Sequence, residues 1–279
     1  MDKERLLFLK EKAREIRKMT IEEIGTLGTG HIGGAMSIAD LLALLYFHRL
    51  RVDPLNPRMP DRDQLVVSKG HAGPAVYAAL ALKGYFPKEW LGTLNQGGTR
   101  LPSHCDRNLT PGVDMTTGSL GQGFSAALGI ALGLGMDAGT KSAKVYAIIG
   151  DGESDEGQIW EAALFAGYRG TANLIAFTDY NKQQLDGYTK DILNLDDLEA
   201  KWRAFGWFTQ RVDGHDIAAL DEAVENAAAQ DKKPSMIIMD TLKGKGCSFA
   251  EGVQNNHSMA FDRVKAAEAI AALDSQPQE

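Results

Sequence analysis

Apolar residues recur through the chain with two different spacings. Over positions 3–24, Leu6, Leu9, Ala13, Ile16 and Ile24 stand among charged residues at helical intervals, which predicts an amphipathic helix. From Ser37 to about His48 the run SIADLLALLYF is apolar on nearly every side, the pattern of a helix buried in a core or at a subunit interface. An alternation follows. QLVVS (64–68) predicts a short buried strand, then SKGHAG and a helix from Tyr77 to Lys83. Residues 119–135, SLGQGFSAALGIALGLG, predict a helix of small residues that permits close packing. KVYAIIG (144–150) is a strand pattern running into GDG, SDEGQIWEAALFAGYRG a helix, and NLIAFTDY (173–180) the next strand. FTQRVDG (208–214), a helix around 216–229 and SMIIMDT (235–241) complete the series. Continuous apolar strands between amphipathic helices specify an α/β fold, a mainly parallel sheet covered by helices on both faces. Ligands in such folds bind at the carboxyl ends of the strands. The glycine-rich and polar segments SKGH, GDGES, DYNKQQLDG and TLKGKG fall there.

Length and composition narrow this picture. A chain of 279 residues, 44% hydrophobic and 24% charged, has the apolar content for a sizeable core. That length suits one large α/β domain or two small ones, and no internal repeat, low-complexity tract or long linker appears. The net charge of −7 and the lack of a Lys/Arg cluster beyond Lys243 and Lys245 argue against a nucleic-acid partner. The charged N-terminus is unlike a signal peptide, and no apolar run is long enough for a membrane span. Two cysteines, Cys105 and Cys247, form no close-spaced motif, which fits a reducing cytoplasm.

The segment with the most chemistry is Gly150-Asp151-Gly152-Glu153 at a strand end, with Asn181 at the end of the next strand. Alone, GDG is equally the signature of a tight turn. Its glycines also let the backbone approach a phosphate closely, and the helix beyond aims free N–H groups at an anion. A hard cation takes oxygen ligands. Asp151 offers a carboxylate, Asn181 an amide oxygen and Gln183 a main-chain carbonyl, with a diphosphate to complete the shell. Mg²⁺ is the expected ion, and Ca²⁺ is accepted by the same oxygens.

Five ordered segments resemble the transketolases among the thiamine diphosphate enzymes, and the resemblance covers nearly the whole chain. They are GTGHIGGAMSIADLLALLY, DRDQLVVSKGHAGPAVYAAL, LPSHCDRNLTPGVDMTTGSLGQGFSAALGIALG, GDGESDEGQIWEAALFA and TLKGKGCSFAEGVQNNHSM. The resemblance implies a thiamine diphosphate-binding fold, with positions 1–279 forming a single pyrophosphate-binding domain. It implies that Asp151, Asn181 and Gln183 hold the metal and that Gly152, with Gly150, contacts the diphosphate. Gly118, Ser119 and Leu120 would line the thiazolium and pyrimidine region. Glu153 is grouped with the cofactor-binding residues, as a group that stabilises its helix start rather than a catalyst. His31, His71, His104 and His257 fall at matching positions, whereas His48 and His215 match nothing. The implied roles are substrate hydroxyl and carbonyl contacts for His31 and His104, cofactor contact and ketol orientation for His71, and proton transfer near the diphosphate for His257. Imidazoles suit a ketose, whose hydroxyls and developing alkoxide need hydrogen-bond partners.

The sequence departs from the full-length pattern at Ile32, at Lys69 in place of asparagine, and at Cys105-Asp106 after His104. These departures resemble the two-chain branch of the family. Cys105, with no base of its own, is read as a pocket-wall residue. The pyrimidine-binding and C-terminal domains, which carry the activating glutamate and the sugar-phosphate ligands, would come from a partner chain in an α2β2 heterotetramer. The Ser37–Phe47 and 119–135 helices would contribute to the shared interface. The implied reaction moves a two-carbon ketol unit from a ketose phosphate to an aldose phosphate, in its ordinary form or a specialised one such as that on apulose 4-phosphate. The rival readings are one chain of a two-chain 2-oxo-acid dehydrogenase or decarboxylase, and a non-catalytic protein retaining the fold.

Overall fold

The computed structural model describes residues 1–137, 139–140 and 142–275. Helix α1 (Lys3–Leu27) starts where the Asp2 carboxylate accepts the Arg5 N–H at 2.8 Å, and it ends at Gly28 in the left-handed region, φ +94°. Strand β1 (Thr29–Gly30) and the short helices α2 (Gly33–Met36) and α3 (Ala39–Leu44) follow, the last continuing as a π-helical turn, Leu45–Arg49. Next come β2 (Gln64–Val67), α4 (Gly73–Lys83), α5 (Gln122–Met136), β3 (Val145–Gly150), α6 (Gly157–Arg169) and β4 (Leu174–Tyr180). The chain continues through α7 (Thr189–Ile192), α8 (Leu198–Ala204), β5 (Phe208–Asp213), α9 (Ile217–Ala228), β6 (Ser235–Asp240), β7 (Met259–Ala260) and α10 (Arg263–Asp274).

The main sheet is parallel throughout, in the order β2-β3-β4-β6-β5, and β1 pairs with β7 in a separate antiparallel ladder. Alternation along the strands builds two cores. Tyr146, Ile148, Ile175, Phe177, Ile237 and Met239 face the core shared with α1, α3, α4 and α9. Val145, Ala147, Ile149, Leu174, Ala176, Met236 and Ile238 face α5, α6 and Trp202 of α8. Each fully buried Ile or Phe contributes about 1.5–3 kcal/mol relative to exposure. The strands are therefore clamped from both sides, and their ends become fixed platforms. No helix among the described residues is long and apolar enough to cross a membrane.

The segment predicted as one apolar helix from Ser37 is broken instead, and every residue from Ile32 to Tyr46 is buried within this chain. Up to Tyr46 it is core, and only its end, at half-buried Phe47 and exposed His48, reaches the surface. Packing of α3 against α1, α4 and α9 covers it. Apolar periodicity cannot separate these cases, because a core helix and an interface helix need the same side chains. The small-residue helix starts at Gln122 rather than 119, since Gly121 adopts φ +81° and turns the chain into it. Its Gly129, Gly133, Gly135 and Met136 are exposed.

Candidate active site

The register of the parallel strands decides what meets at their carboxyl ends. Val67 pairs with Ile148, Gly150 with Asp179, and Tyr180 with Asp240. The residues leaving these strands therefore emerge side by side: Ser68-Lys69-Gly70-His71, Asp151-Gly152-Glu153, Asn181 and Thr241-Leu242-Lys243. They frame a cleft of about 230 Å³, completed by His31, His104, Gly118, Leu120 and His257 from loops. Gly152 is required by close approach, since a Cβ there would lie 2.5 Å from Gln184 Cβ. Gly70 is held the same way, 2.7 Å from the Thr117 backbone.

At one end of the cleft the polar groups are dense and internally bonded. Asp151 is buried, with one carboxylate oxygen accepting the Gly152 N–H at 2.8 Å and the other the Lys182 N–H. Among the described residues no Lys or Arg nitrogen forms an ion pair with it. Burial, and secondly the Asp179 charge, push its carboxyl up to about 7. Asn181 donates its amide N–H to Asp179 at 2.9 Å, and its amide oxygen accepts the Gln183 N–H at 3.1 Å. Asp179 is fully buried and also accepts from Ser37 at 2.6 Å, from Lys69 at 2.5 Å and from Thr241. Burial alone would raise its pKa, but Lys69, with the hydrogen bonds from Ser37 and Thr241, more than offsets that and holds it below the usual range. Lys243 Nζ donates to the carbonyls of Gln183 and Gln184 at 3.3 and 3.4 Å, and burial brings its ammonium down to about 8.

This end fits a metal-bound diphosphate. A buried carboxylate with no ion-paired Lys or Arg among the described residues, an amide oxygen and a main-chain carbonyl held only by Lys243 at 3.3 Å are hard-oxygen donors. Among the described residues no group of three His, Cys, Asp or Glu could hold a metal. The donor set is thus incomplete without oxygens brought by the ligand itself. Lys243 and the Gly152 backbone lie where such an anion would be received.

The other end is made of imidazoles. His31 lies with its ring centroid 5.7 Å from His71, 5.4 Å from His104 and 5.2 Å from His257, and His71 lies 4.6 Å from His257. The four histidines singled out by the sequence thus converge from segments up to 226 positions apart. Among the described residues none of the four rings makes a hydrogen bond to protein. Burial lowers the pKa of each, assisted at His31 by His104 and at His71 by Lys69. At His257 burial and then Lys243 bring it to about 4. All four are neutral at pH 7, each able to donate through one nitrogen and accept through the other.

Some predicted residues take other positions. Ser119 is exposed and outside the cleft lining, while its neighbours Gly118 and Leu120 line it. Glu153 is buried, and its carboxylate accepts from Ser68 Oγ, from the Gly121 N–H at 2.8 Å and from the Gly150 N–H at 3.1 Å. It therefore secures the start of α5 rather than that of its own helix. Cys105 does not line the cleft: it is buried, and burial pushes its thiol up to about 12. His215, which matches no motif, donates through Nδ1 to Asp40 at 2.8 Å and accepts the Leu242 N–H at 2.9 Å through Nε2. Sequence reasoning does not find Asp179, Lys69 and Lys243 as site residues. Lys69 stands out in the sequence only as a departure, and its partner lies 110 positions away.

Comparison with known proteins places this architecture. Residues 9–279 match the family described as "Transketolase, thiamine diphosphate binding domain". The chain is 58% identical to the 6-deoxy-6-sulfo-D-fructose transketolase subunit SqwG of Clostridium sp. (strain MSTE9), over 98% of both chains. It is 41% identical to an apulose-4-phosphate transketolase subunit of Actinobacillus succinogenes, over 88% of each. Among solved structures, transketolase from Leishmania mexicana superposes with a TM-score of 0.90 at 30% identity, covering 97% of this chain and 42% of that one.

Proposed function

The chain belongs to the transketolase family, and from that premise we propose that it is the thiamine diphosphate-binding subunit of a two-chain transketolase. The observation that carries the proposal is the meeting, in one cleft at the strand ends, of an under-neutralised oxygen donor set and four neutral imidazoles. In this reading Asp151, Asn181 and the Gln183 carbonyl hold Mg²⁺, and Lys243 with the Gly152 N–H receives the diphosphate. Bound thiamine diphosphate supplies the carbon nucleophile and electron sink that the protein lacks. His31 and His104 hydrogen-bond the hydroxyls and carbonyl of the ketose, and the electrostatic support they give is largest where negative charge develops on oxygen. His71 orients the ketol group, and His257 exchanges a proton beside it. Single-domain coverage of positions 1–279 and cytoplasmic location belong to the same proposal.

The partner is proposed to carry the pyrimidine-binding and C-terminal domains, in an α2β2 assembly. Support comes from relatives named as subunits that this chain matches almost end to end, and from the solved transketolases, of whose length it spans about 42%. The 58% identity to a sulfofructose transketolase subunit favours 6-deoxy-6-sulfofructose as donor. The two-carbon unit would leave it as a four-carbon aldose that retains the sulfonate. The test is a coupled assay of the purified chain alone and mixed with its partner, with sulfofructose, fructose 6-phosphate and apulose 4-phosphate as competing donors. The expected result is turnover only in the mixture, fastest on the sulfo-sugar. Full turnover by the single chain overturns the two-chain reading, and preference for a phosphate donor overturns the substrate assignment.

A further inference from the structure

We infer that Asp179 is a positioning residue that, through Asn181, sets which end of an amide faces the metal-diphosphate site; the inference rests on the cofactor reading above. An asparagine side chain is an oxygen at one end and an NH₂ at the other, similar in shape and opposite in use. Only the oxygen can bind a cation. A carboxylate accepts and never donates, so Asp179 can take only the NH₂ end of Asn181, which it does at 2.9 Å. The amide oxygen is thereby turned the other way, where it accepts the Gln183 N–H at 3.1 Å and keeps a second lone pair for a metal.

Asp179 is itself immobilised by four elements. Ser37 comes from the turn after α2, Lys69 from the end of β2, Thr241 from the end of β6, and Asn181 from the end of its own strand β4. Lys69 Nζ also donates to the Gly34 carbonyl at 2.7 Å, which ties the His71 loop to α2. No solvent reaches Asp179. Its four partners reach both carboxylate oxygens, Thr241 one and the other three the second. A buried carboxylate this heavily bonded is costly to assemble. The ordering of Asn181 gives it a use, as partners behind a metal ligand fix that ligand's orientation.

The experiment measures Mn²⁺ affinity by electron paramagnetic resonance in the presence of thiamine diphosphate, in the complex with the partner chain. Asp179→Asn, Asn181→Ala and the double variant are compared with the unmodified protein. Asp179→Asn can itself accept or donate, so it should allow Asn181 to flip and weaken Mn²⁺ binding about 10–100-fold. In the Asn181→Ala background the same change should cost little more, because the two act through one group. Equal losses in both backgrounds overturn the inference, as does normal binding by Asp179→Asn when Asp151→Ala abolishes it. If the charge change leaves Lys69 unpaired and the protein unfolded, the pair Asp179→Asn with Lys69→Met removes both charges and is read by the same comparison. Absence of any Mn²⁺ or thiamine diphosphate binding in the unmodified complex overturns the cofactor reading itself, and this inference with it.

Discussion

The two ends of the cleft are built on opposite principles. At the strand-end side, Asp151, Asp179, Asn181, Lys69 and Lys243 all have protein partners within hydrogen-bond distance. At the loop side, four imidazoles touch one another and bond to nothing else among the described residues. A buried charge needs hydrogen-bond partners even where, as at Asp151, no cation pairs with it, so a site for a fixed ionic group is assembled with the fold. Neutral imidazoles at a partly open mouth can be served by water until a ligand arrives. The difference separates holding from reacting: one end is already set for a resident group, and the other keeps its hydrogen-bonding capacity for a transient one.

That division can be broken by substitution. The largest effect is expected from Asp151→Ala, which removes the side-chain carboxylate proposed to hold the metal. Thiamine diphosphate binding in Mg²⁺, followed by calorimetry, should fall by more than about 100-fold, above the usual cost of losing an outer-shell partner. Binding within a few-fold of the unmodified protein would remove the metal assignment. A smaller and different loss is expected from His31→Ala or His104→Ala. Turnover with the partner chain should drop about 10²–10⁴-fold while cofactor affinity stays nearly unchanged. An equal loss of both would mean that the two ends are not separate in function.

The mildest test uses pH. His257 titrates at about 4 in the folded chain, depressed by burial and Lys243, against an ordinary value near 6.5. Between those values the unfolded chain binds the proton and the folded one does not, so acidification favours unfolding. The contribution is complete above pH 6.5 and is lost as pH falls through that window. His257→Gln should therefore show a flatter fall in melting temperature between pH 7 and pH 4 than the parent, by a few degrees. Parallel curves would show that His257 is not the buried neutral base that its surroundings make it.

Most of the framework is legible in the sequence. The predicted strands 64–68, 144–150, 173–180, 208–214 and 235–241 lie within one or two residues of those observed, because a parallel strand buried on both faces is a continuous apolar run with polar ends. The candidate site is legible where its residues stand beside glycines, as His31, His71 and Asp151 do. It is not legible at Lys69, Asp179 and Lys243. Asp179 sits inside an apolar strand and Lys69 beside a histidine motif, and their significance lies in a 2.5 Å contact created only by strand register. The segment after Ser37 misleads for a related reason: its apolar pattern specifies cover without specifying whose. Ser119 and Cys105 follow motif neighbours in sequence but turn outward or inward from the cleft with the local backbone.

The carboxylate of Glu153 joins the end of β2 through Ser68, the end of β3 through Gly150 and the start of α5 through Gly121. Loops that share one acceptor cannot loosen independently, since releasing any one leaves a buried charge less satisfied for the other two. The cleft floor therefore behaves as a single cooperative opening unit. Amide exchange at Gly121 and Gly150 should accordingly report the same opening rate.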